Sequence, residues 1–198
     1  LLLQENYIRD LARAGCENIW MGAESGSQHI LDAMEKGTKV EQIYESTQLI
    51  RKYGMKPSFF IQFGYPGETR EDIKKTIKMI NKLVPFEIGI SVSYPLPGTG
   101  FYEKVKTELT EKTNWTDSDE LALMFRNTFQ PAFYKQLYRY VHKSHRAHIG
   151  LYNLKKIFSK PGTTGFFSLK KAISFLYYFP ASIIEKWKLN KLEKFPQS

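Results

Sequence analysis

Apolar positions in the first half of the chain follow two alternating patterns, one typical of strands and one typical of helices. Short apolar runs at 18–24, 57–63 and 86–93 are separated by segments in which apolar residues recur every three or four positions. These segments predict helices at 1–14, 28–35, 40–53 and 70–83, with a short helix over 101–106. Strand starts spaced by about 39 and about 30 residues are typical of βα units in a parallel sheet or barrel. The run 58–63 is apolar on both sides, which predicts a strand covered on both faces.

Polar residues before the helical segments predict where those helices begin. Ser27, Thr38 and Thr69 each precede a segment with helical periodicity, and each is a residue type favoured at a helix N-cap. Glu71 and Asp72 would lie in the first turn after Thr69, where a negative charge stabilises the helix dipole. Three helix starts are therefore expected, each directly after a strand or a turn.

The pattern changes beyond residue 110. An acidic segment at 117–120 predicts a helix start, and helices are expected over 132–147, 151–158 and 166–189. The glycine- and threonine-rich segment 160–165 predicts a flexible break, and Pro180 an interruption of the last helix. We therefore expect two regions, an α/β region over 1–110 and an all-helical extension over 111–198.

The two regions differ sharply in charge. Residues 1–110 hold 14 Lys and Arg against 14 Asp and Glu, whereas residues 111–198 hold 15 against 6, so the formal charge of +9 lies in the helical region. The overall content of 42% hydrophobic and 25% charged residues is typical of a globular protein. No signal peptide and no uninterrupted run of 18 apolar residues is present, so no ordinary transmembrane helix is expected. A single cysteine, which can form no internal disulfide, fits a reducing cytoplasm.

Cysteine and histidine give little indication of a metal site. Cys16 is the only cysteine, so the chain can form no internal disulfide and can supply only one thiolate to a zinc or iron–sulfur site. His142, His145 and His148 recur every three residues and drift around a helix, which disfavours a shared metal. No residue of this chain is therefore predicted to bind a metal.

The carboxyl end of the first strand carries the first candidate site. Glu24 and Ser25 stand between Gly22 and Gly26, and Ser27 follows at a helix start. A carboxylate, a hydroxyl and a helix N-terminus would then meet at the edge where α/β folds place small-molecule sites. A strand-to-helix turn with a capping serine and a surface glutamate is the alternative, and the motif by itself does not decide between them.

Three strand-end motifs together resemble a known family. They are GAESGSQ at 22–28, FGYPGET at 63–69 and YPLPGT at 94–99. In this order and spacing they resemble the second half of a radical S-adenosylmethionine enzyme core over residues 1–110. The resemblance is strongest to the subfamily that often has an N-terminal cobalamin-binding domain. It implies an α/β fold, here the carboxyl half of a partial (β/α)6 TIM-like barrel.

The family resemblance also implies cofactors and a reaction. Its members bind S-adenosylmethionine and a 4Fe-4S cluster, accept an electron from a reductant such as flavodoxin or ferredoxin, and release a 5′-deoxyadenosyl radical. Cobalamin-dependent methylation, cyclisation and rearrangement are among the reactions implied. The Cys-x-x-x-Cys-x-x-Cys loop of the family is absent, which predicts a carboxyl fragment of a longer enzyme that is inactive by itself.

The same resemblance assigns cofactor-binding roles by position, while the catalytic residues stay unknown. Glu24 would accept hydrogen bonds from the amino group or ribose hydroxyls of S-adenosylmethionine, and Glu68 is either a first-turn acid or a ligand contact. Gln62, on the polar side of its strand, is a candidate contact inside the barrel. The cofactor-binding residues predicted are Gly22, Glu24, Ser25, Gln62, Phe63, Gly64, Pro66, Gly67, Tyr94, Leu96 and Pro97.

The basic, aromatic segment 166–191 has three interpretations. It is a helical cover with lysine ammonium groups in solvent, a peripheral contact with an anionic membrane at the inner face, or a nucleic-acid surface. No recognised RNA-binding module is present, which disfavours nucleic acid, and membrane contact would suit a lipid-like rather than another small-molecule substrate. Two alternatives to an enzyme follow, a non-catalytic nucleotide-binding βα module and a membrane-surface adaptor acting through the basic tail.

Overall fold

The computed structural model describes residues 4–109, 125, 127–159 and 166–193. Helices and strands alternate in its first half and two long helices fill its second half. The elements are α1 Glu5–Arg13, β1 Asn18–Glu24, α2 Gln28–Ala33, α3 Val40–Lys52, β2 Lys56–Phe63, α4 Arg70–Leu83, β3 Ile88–Val92, α5 Gly100–Val105, α6 Pro131–Ser159 and α7 Phe166–Leu192, with a 3-10 turn at Lys106–Glu108.

The strands form a parallel sheet in the order β1-β2-β3. Asn18 pairs with Lys56 at the start of the sheet and Phe63 with Val92 at its end, with a bulge between Gly22 and Glu24. Because all strands run in one direction, their carboxyl ends lie at one edge. The α/β fold expected from the sequence is therefore confirmed, and the helical second half agrees with the predicted extension.

One face of the sheet carries the hydrophobic core. Phe59, Ile61 and Phe63 of β2 are buried on this face together with Met21 and Ala23 of β1. Helices α3, α4 and α6 add apolar side chains to the same core, which include Ile43, Ile50, Ile73, Ile80, Phe133 and Leu137. Because α6 shares this core, the helical extension is packed on the sheet. The predicted boundary at residue 110 lies outside the described residues and stays a prediction.

The opposite face of the sheet is open, which corrects the expectation that both faces of β2 are covered. Phe60 is 51% exposed and stacks on Trp20, with ring centroids 4.6 Å apart. The register places Gly89 beside Phe60, and a Cβ at Gly89 would stand 3.1 Å from the Phe60 ring. Phe60 is apolar because it packs on neighbouring strands, and no helix in the described part of the chain covers it. Gln62 lies on this same face, as the alternation in β2 predicted.

Two of the three predicted helix caps occupy the predicted position, one of them without a capping hydrogen bond, and the third is displaced. Thr69 does cap α4, since its Oγ1 accepts a hydrogen bond from the Asp72 amide. Ser27 occupies the N-cap position of α2, but its hydroxyl donates to Asp72 Oδ1 at 2.5 Å instead of capping its own helix. Thr38 is not the cap of α3, because Lys39 is the N-cap residue. A tertiary contact with Asp72 accounts for the difference at Ser27, and a shift of one residue accounts for the difference at Thr38.

The second half is a helical hairpin with longer helices than the sequence predicted. Helix α6 is continuous over Pro131–Ser159, and α7 runs through Pro180 without ending. Glu185 links them, accepting hydrogen bonds from Gln136 at 2.6 Å and Lys143 at 2.5 Å. The acidic start at 117–120 and the break at 160–165 lie outside the described residues. Among the helices described, none has the length and apolarity needed to cross a membrane.

Candidate functional site

A cavity of about 370 Å³ opens at the edge where the three strands end. This volume lies within the roughly 300–1,000 Å³ typical of small-molecule sites. Glu24 is the last residue of β1, Gln62 is the second-last residue of β2, and Tyr94 and Leu96 follow β3. The structure therefore brings four of the predicted residues together around one cavity. Its full lining is Glu24, Met34, Glu35, Lys36, Gln62, Tyr65, Tyr94, Leu96, Thr99, Gly100, Phe101 and Lys104.

Glu24 has an unusual backbone conformation. Its φ of 53° is in the left-handed region, which costs an L-residue with a Cβ roughly 1 kcal/mol. The adjacent β-bulge turns the carboxylate into the cavity, where Oε1 lies 2.9 Å from Lys36 Nζ. A Cβ at Gly22 would stand only 2.7 Å from this same oxygen. Gly22 therefore leaves room for the carboxylate, which explains its place in the motif without requiring contact with a ligand.

The cavity carries balanced charge at its mouth and aromatic surface at one wall. Lys104 Nζ lies 3.2 Å from Glu35 Oε1, which adds a second ion pair to that of Glu24 and Lys36. The Tyr65 and Phe101 rings lie 4.9 Å apart, and the Tyr65 hydroxyl donates to the Ala33 carbonyl at 2.8 Å. A molecule that has both charges and a flat apolar group matches this arrangement.

Ser25 lies away from the cavity. It is fully buried, its Oγ lies 3.0 Å from Thr76 Oγ1, and the same oxygen accepts from the Ser27 amide. The next residue, Gly26, donates its amide hydrogen to Thr76 Oγ1 at 2.9 Å. The Glu-Ser pair thus divides its roles, because the glutamate enters the cavity while the serine fastens the strand end to α4.

Asp72 extends this fastening. Burial raises the pKa of its carboxyl, but hydrogen bonds from Ser27 and Thr69 together with nearby His29 outweigh that effect and bring the pKa to about 2. Asp72 Oδ2 accepts from the Thr69 hydroxyl at 2.6 Å and from its amide at 3.0 Å. The ionised carboxylate therefore joins α2 to α4 behind the cavity.

Glu68 holds the turn after β2. It precedes the N-cap Thr69, which rules out the first-turn acid, one of the two interpretations given for it above, and its side chain has 0% exposure. Glu68 Oε2 accepts from the Gly64 amide at 2.7 Å, and Oε1 has no hydrogen-bond partner among the described residues. Burial, helped by nearby Asp72 and opposed by the Gly64 hydrogen bond, raises the pKa of Glu68 to about 8.

The C-terminal half also contacts this turn. The Asn127 amide donates to the Gly64 carbonyl at 2.5 Å, and the Thr128 hydroxyl donates to the Glu68 carbonyl at 2.9 Å. Asn127 Oδ1 in turn accepts from the Tyr134 hydroxyl at 2.9 Å. The FGYPGET turn is therefore fixed from inside by Glu68 and from outside by the residues leading into α6.

The remaining predicted residues do not line the cavity in the described part of the chain. Phe63 is in the core and Gly64 is buried in the turn, whereas Pro66 is half-buried and Gly67 and Pro97 are exposed. Gly67 has a φ of 82°, which explains a glycine at that position of the turn. Their assignment as cofactor contacts stays a prediction.

Eight of the twelve lining residues are not among the predicted contacts, and three of these, Lys36, Tyr65 and Lys104, bring charge or aromatic surface to the cavity. In sequence, Lys36 ends a predicted helix and Tyr65 lies within a turn. Glu35 and Lys36 are neighbours in sequence, and nothing in the sequence shows that Glu35 forms an ion pair with Lys104 and Lys36 with Glu24. Only the tertiary structure shows that these side chains meet at one cavity.

No metal site is evident in the part of the chain that the structure describes. No three His, Cys, Asp or Glu residues there approach closely enough to hold an ion. The Cys16 thiol donates weakly to the Asn18 carbonyl at 3.5 Å. His145 is buried, which lowers its pKa to about 4, and its Nε2 lies 2.8 Å from the Pro85 carbonyl oxygen. The single thiolate does not fit a 4Fe-4S cluster, which needs several.

Comparison with known protein families gives one match. Residues 1–80 match the radical SAM superfamily. The chain is 30% identical over 112 residues to an uncharacterized methyltransferase of Pyrococcus horikoshii, a span that covers 56% of this chain and 24% of that protein. The matched segment contains the first two strand-end motifs and most of α4.

Two further relatives are named for tRNA modification. The chain is 32% identical over 133 residues to a tRNA-2-methylthio-N(6)-dimethylallyladenosine synthase of Sulfurihydrogenibium, covering 65% of this chain and 30% of that enzyme. It is 30% identical over 105 residues to a tRNA uridine(34) acetyltransferase of Methanocaldococcus jannaschii, covering 52% and 19%. The chain thus spans less than a third of the length of these relatives.

A solved structure shares the fold. Elp3 of Methanocaldococcus infernus, lacking its N-terminal residues, superposes with a TM-score of 0.52 at 23% identity, over 73% of this chain and 30% of that one. This similarity concerns the fold alone. It agrees with the parallel sheet and the helices packed on one of its faces.

Proposed function

We propose that this chain forms the S-adenosylmethionine-binding wall of a radical SAM enzyme. The observation that carries the proposal is the convergence of Glu24, Gln62, Tyr94 and Leu96, which come from the ends of three parallel strands, on one cavity. Parallel α/β folds place ligands at this edge. The superfamily match over residues 1–80 supports S-adenosylmethionine as the ligand.

The chemistry of the cavity suits this ligand. S-adenosylmethionine has an ammonium group, a carboxylate, ribose hydroxyls and a flat adenine. Glu24 would accept hydrogen bonds from the ammonium or the ribose, and Lys36, released from its pair with Glu24, would bind the carboxylate. Tyr94 and Leu96 offer apolar surface to the adenine. The protein residues would therefore bind and orient the cofactor, and the ion pair in the cavity would exchange for contacts with the ligand.

The iron–sulfur cluster implied by the superfamily does not fit the residues of this chain. Cys16 is its only cysteine, and the thiol is partly buried beside Asn18. We infer that cluster ligands come from other residues of the complete enzyme and that this chain has no radical activity by itself. Iron and sulfide reconstitution of residues 1–198 should leave no stable four-iron chromophore, and a stable one would contradict the inference.

The binding role is tested with Glu24→Ala in the full-length protein. Loss of a charge-assisted contact of about 1.5–3 kcal/mol should weaken S-adenosylmethionine binding roughly tenfold to a hundredfold, measured by equilibrium dialysis, with unchanged iron content. The matched control is Glu17→Ala, since Glu17 is an exposed glutamate just before the opposite end of the same strand. Equal cofactor affinity of wild type and Glu24→Ala would contradict the proposed role.

The reaction and substrate are finer parts of this proposal. A small-molecule or lipid-like substrate and cobalamin-dependent methylation, cyclisation or rearrangement stay predictions, and the methyltransferase name of one relative agrees with methylation. Cobalt analysis of the purified full-length protein tests the cobalamin part. Action in the cytoplasm, at or near the inner face of a membrane, also stays a prediction.

RNA modification is the second candidate function. It is favoured by the two relatives named for tRNA modification, although no RNA-binding module was recognised in the sequence. A non-catalytic nucleotide-binding module is the remaining alternative. Mass spectrometry of tRNA nucleosides from a deletion strain tests RNA modification, since a lost modification would favour RNA over a small molecule as the substrate.

A further inference from the structure

Helix α7 has one face buried against α6 and another face with large apolar side chains exposed to the surroundings. One face lies against α6 and buries Ala172, Ser182, Glu185 and Leu189. Eight large side chains of α7 are between 49% and 75% exposed, and five of them recur at spacings of three, four or seven residues. These five are Leu169, Ile173, Leu176, Ile183 and Trp187, and we call them the outer stripe. At 3.6 residues per turn these positions share one side of the helix.

The aromatic and apolar residues of α7 are thus divided between the two faces. Phe175 packs against Gly150 of α6, where a Cβ on the glycine would stand 2.8 Å from Phe175 Cβ. The Tyr178 hydroxyl accepts from Arg146 of α6 at 2.6 Å. These residues therefore belong to the hairpin. The outer stripe contains no residue that the hairpin needs for its own packing.

Lysines border the outer stripe, whereas no free carboxylate does. Lys170 and Lys188 lie about 100° from the stripe on one side and Lys186 lies about 100° away on the other. The Lys191 ammonium lies 3.5 Å from the centroid of the Trp187 ring. Within α7 Glu185 is the sole acid, and it is buried against α6. An apolar stripe with two lysines along one border and one lysine along the other is therefore presented to the surroundings.

A groove of about 520 Å³ adjoins the border of the outer stripe that carries Lys186. It lies between α4, α6 and α7, and Lys186 stands at its edge. Apolar side chains line it, including Ile73, Ile77, Phe133 and Leu189. Five cations surround it, with one carboxylate, Glu193, which is paired with Arg70. The cations are Arg70, Lys74, Lys78, Lys82 and Lys186.

We propose that α7 lies in the surface of an anionic lipid bilayer, with the outer stripe among the acyl chains and its lysines on the phosphates. A helix with an apolar stripe, basic borders and an aromatic residue at the boundary is the type that binds at bilayer interfaces. The basic groove beside Lys186 extends the positive surface and would accommodate lipid head groups. This proposal is independent of the cofactor assigned to the strand-end cavity.

Charge favours the bilayer over two other occupants of the stripe. A second copy of this chain would bring the lysines that border both stripes close together, and like charges oppose such a dimer. Nucleic acid would engage the lysines but would leave five large apolar side chains in water. An anionic bilayer satisfies both the apolar stripe and its borders.

The test is flotation of the full-length protein with vesicles. Recovery with phosphatidylcholine containing 30% phosphatidylserine should exceed recovery with phosphatidylcholine alone and fall as salt rises. Leu176→Ser with Ile183→Ser should lower partitioning at least tenfold at every salt concentration. Lys170→Gln with Lys188→Gln should lower it about tenfold at low salt only. The matched control is Tyr7→Ser, since Tyr7 is 54% exposed on α1, distant in sequence from the stripe.

Each outcome decides the proposal. Loss of vesicle binding in both double variants, with the control unchanged and circular dichroism intact, supports it. No vesicle binding by the wild type, or binding that neither double variant changes, overturns it. Absence of vesicle binding together with a dimer that Leu176→Ser dissociates overturns it in favour of a second copy. Absence of vesicle binding together with RNA retention that requires the lysines overturns it in favour of nucleic acid.

Discussion

Replacing Glu68 by glutamine should change how the stability of the protein depends on pH. Glu68 has 0% exposure, and its Oε2 accepts a hydrogen bond from the Gly64 amide. Glutamine has the same shape, and its carbonyl can accept the same hydrogen bond while its amide occupies the position of Oε1. The substitution therefore removes the titration and keeps the packing.

The direction and size of the effect follow from the raised pKa of Glu68. The pKa is about 8 in the fold against 4.5 for an ordinary glutamate, so the folded state binds the proton more tightly than the unfolded state. Stability is then fully present below about pH 4.5 and is lost as pH rises through 8. A difference of this size corresponds to an upper bound of about 5 kcal/mol in the free energy of unfolding.

Urea unfolding followed by tryptophan fluorescence at pH 5 and pH 8 measures this contribution. We expect wild type to lose several kcal/mol relative to Glu68→Gln between the two pH values. Glu71→Gln is the matched control, since Glu71 is an exposed glutamate on the adjacent helix, and it should leave the pH dependence unchanged. If wild type and Glu68→Gln keep a constant difference in unfolding free energy at both pH values, the buried carboxyl does not have a raised pKa in the folded state.

Two further substitutions test the fastening of the first strand end to α4. A Cβ at Gly26 would stand 2.7 Å from the Lys75 carbonyl oxygen, so Gly26→Ala should lower the free energy of unfolding by about 2–4 kcal/mol in urea, and a change below 0.5 kcal/mol would contradict this close approach. Asp72→Ala removes a carboxylate whose pKa is held at about 2. At pH 7 the free energy of unfolding of wild type should therefore be about 2–3 kcal/mol higher than that of the variant, and this difference should disappear as pH falls from about 4 to 2.

The succession of strands and helices could be predicted from the sequence because hydrophobic periodicity acts locally. The runs of β1 and β2 match the observed strands closely, and the predicted helix 70–83 is α4. The N-cap position predicted for Ser27 is confirmed, but its hydroxyl bonds Asp72 instead of its own helix; the prediction at Thr38 was wrong by one residue, since Lys39 is the N-cap. Asp72 is distant from Ser27 in sequence, and local pattern has no information about a hydrogen bond between them.

The site was predicted only in part for the same reason. Glu24, Tyr94 and Leu96 were assigned from the family resemblance and Gln62 from the alternation along β2, and all four lie at the edge where parallel strands end. Lys36 and Lys104 are ordinary lysines in sequence, and their role depends on carboxylates in other elements. Ser25 has a type of side chain suited to binding, but the twist of the strand end turns it toward α4.

The order of the strands has a consequence for how the chain acquires its structure. Each strand pairs with the one that precedes it in sequence, so the sheet can grow by one βα unit at a time as the polypeptide leaves the ribosome. The Asn127 contact with Gly64 can form only after all three strands have been synthesised. The turn after β2 therefore becomes fully fixed only after the sheet has formed, and nascent chains that end before residue 127 should display a sheet with a mobile edge at the cavity.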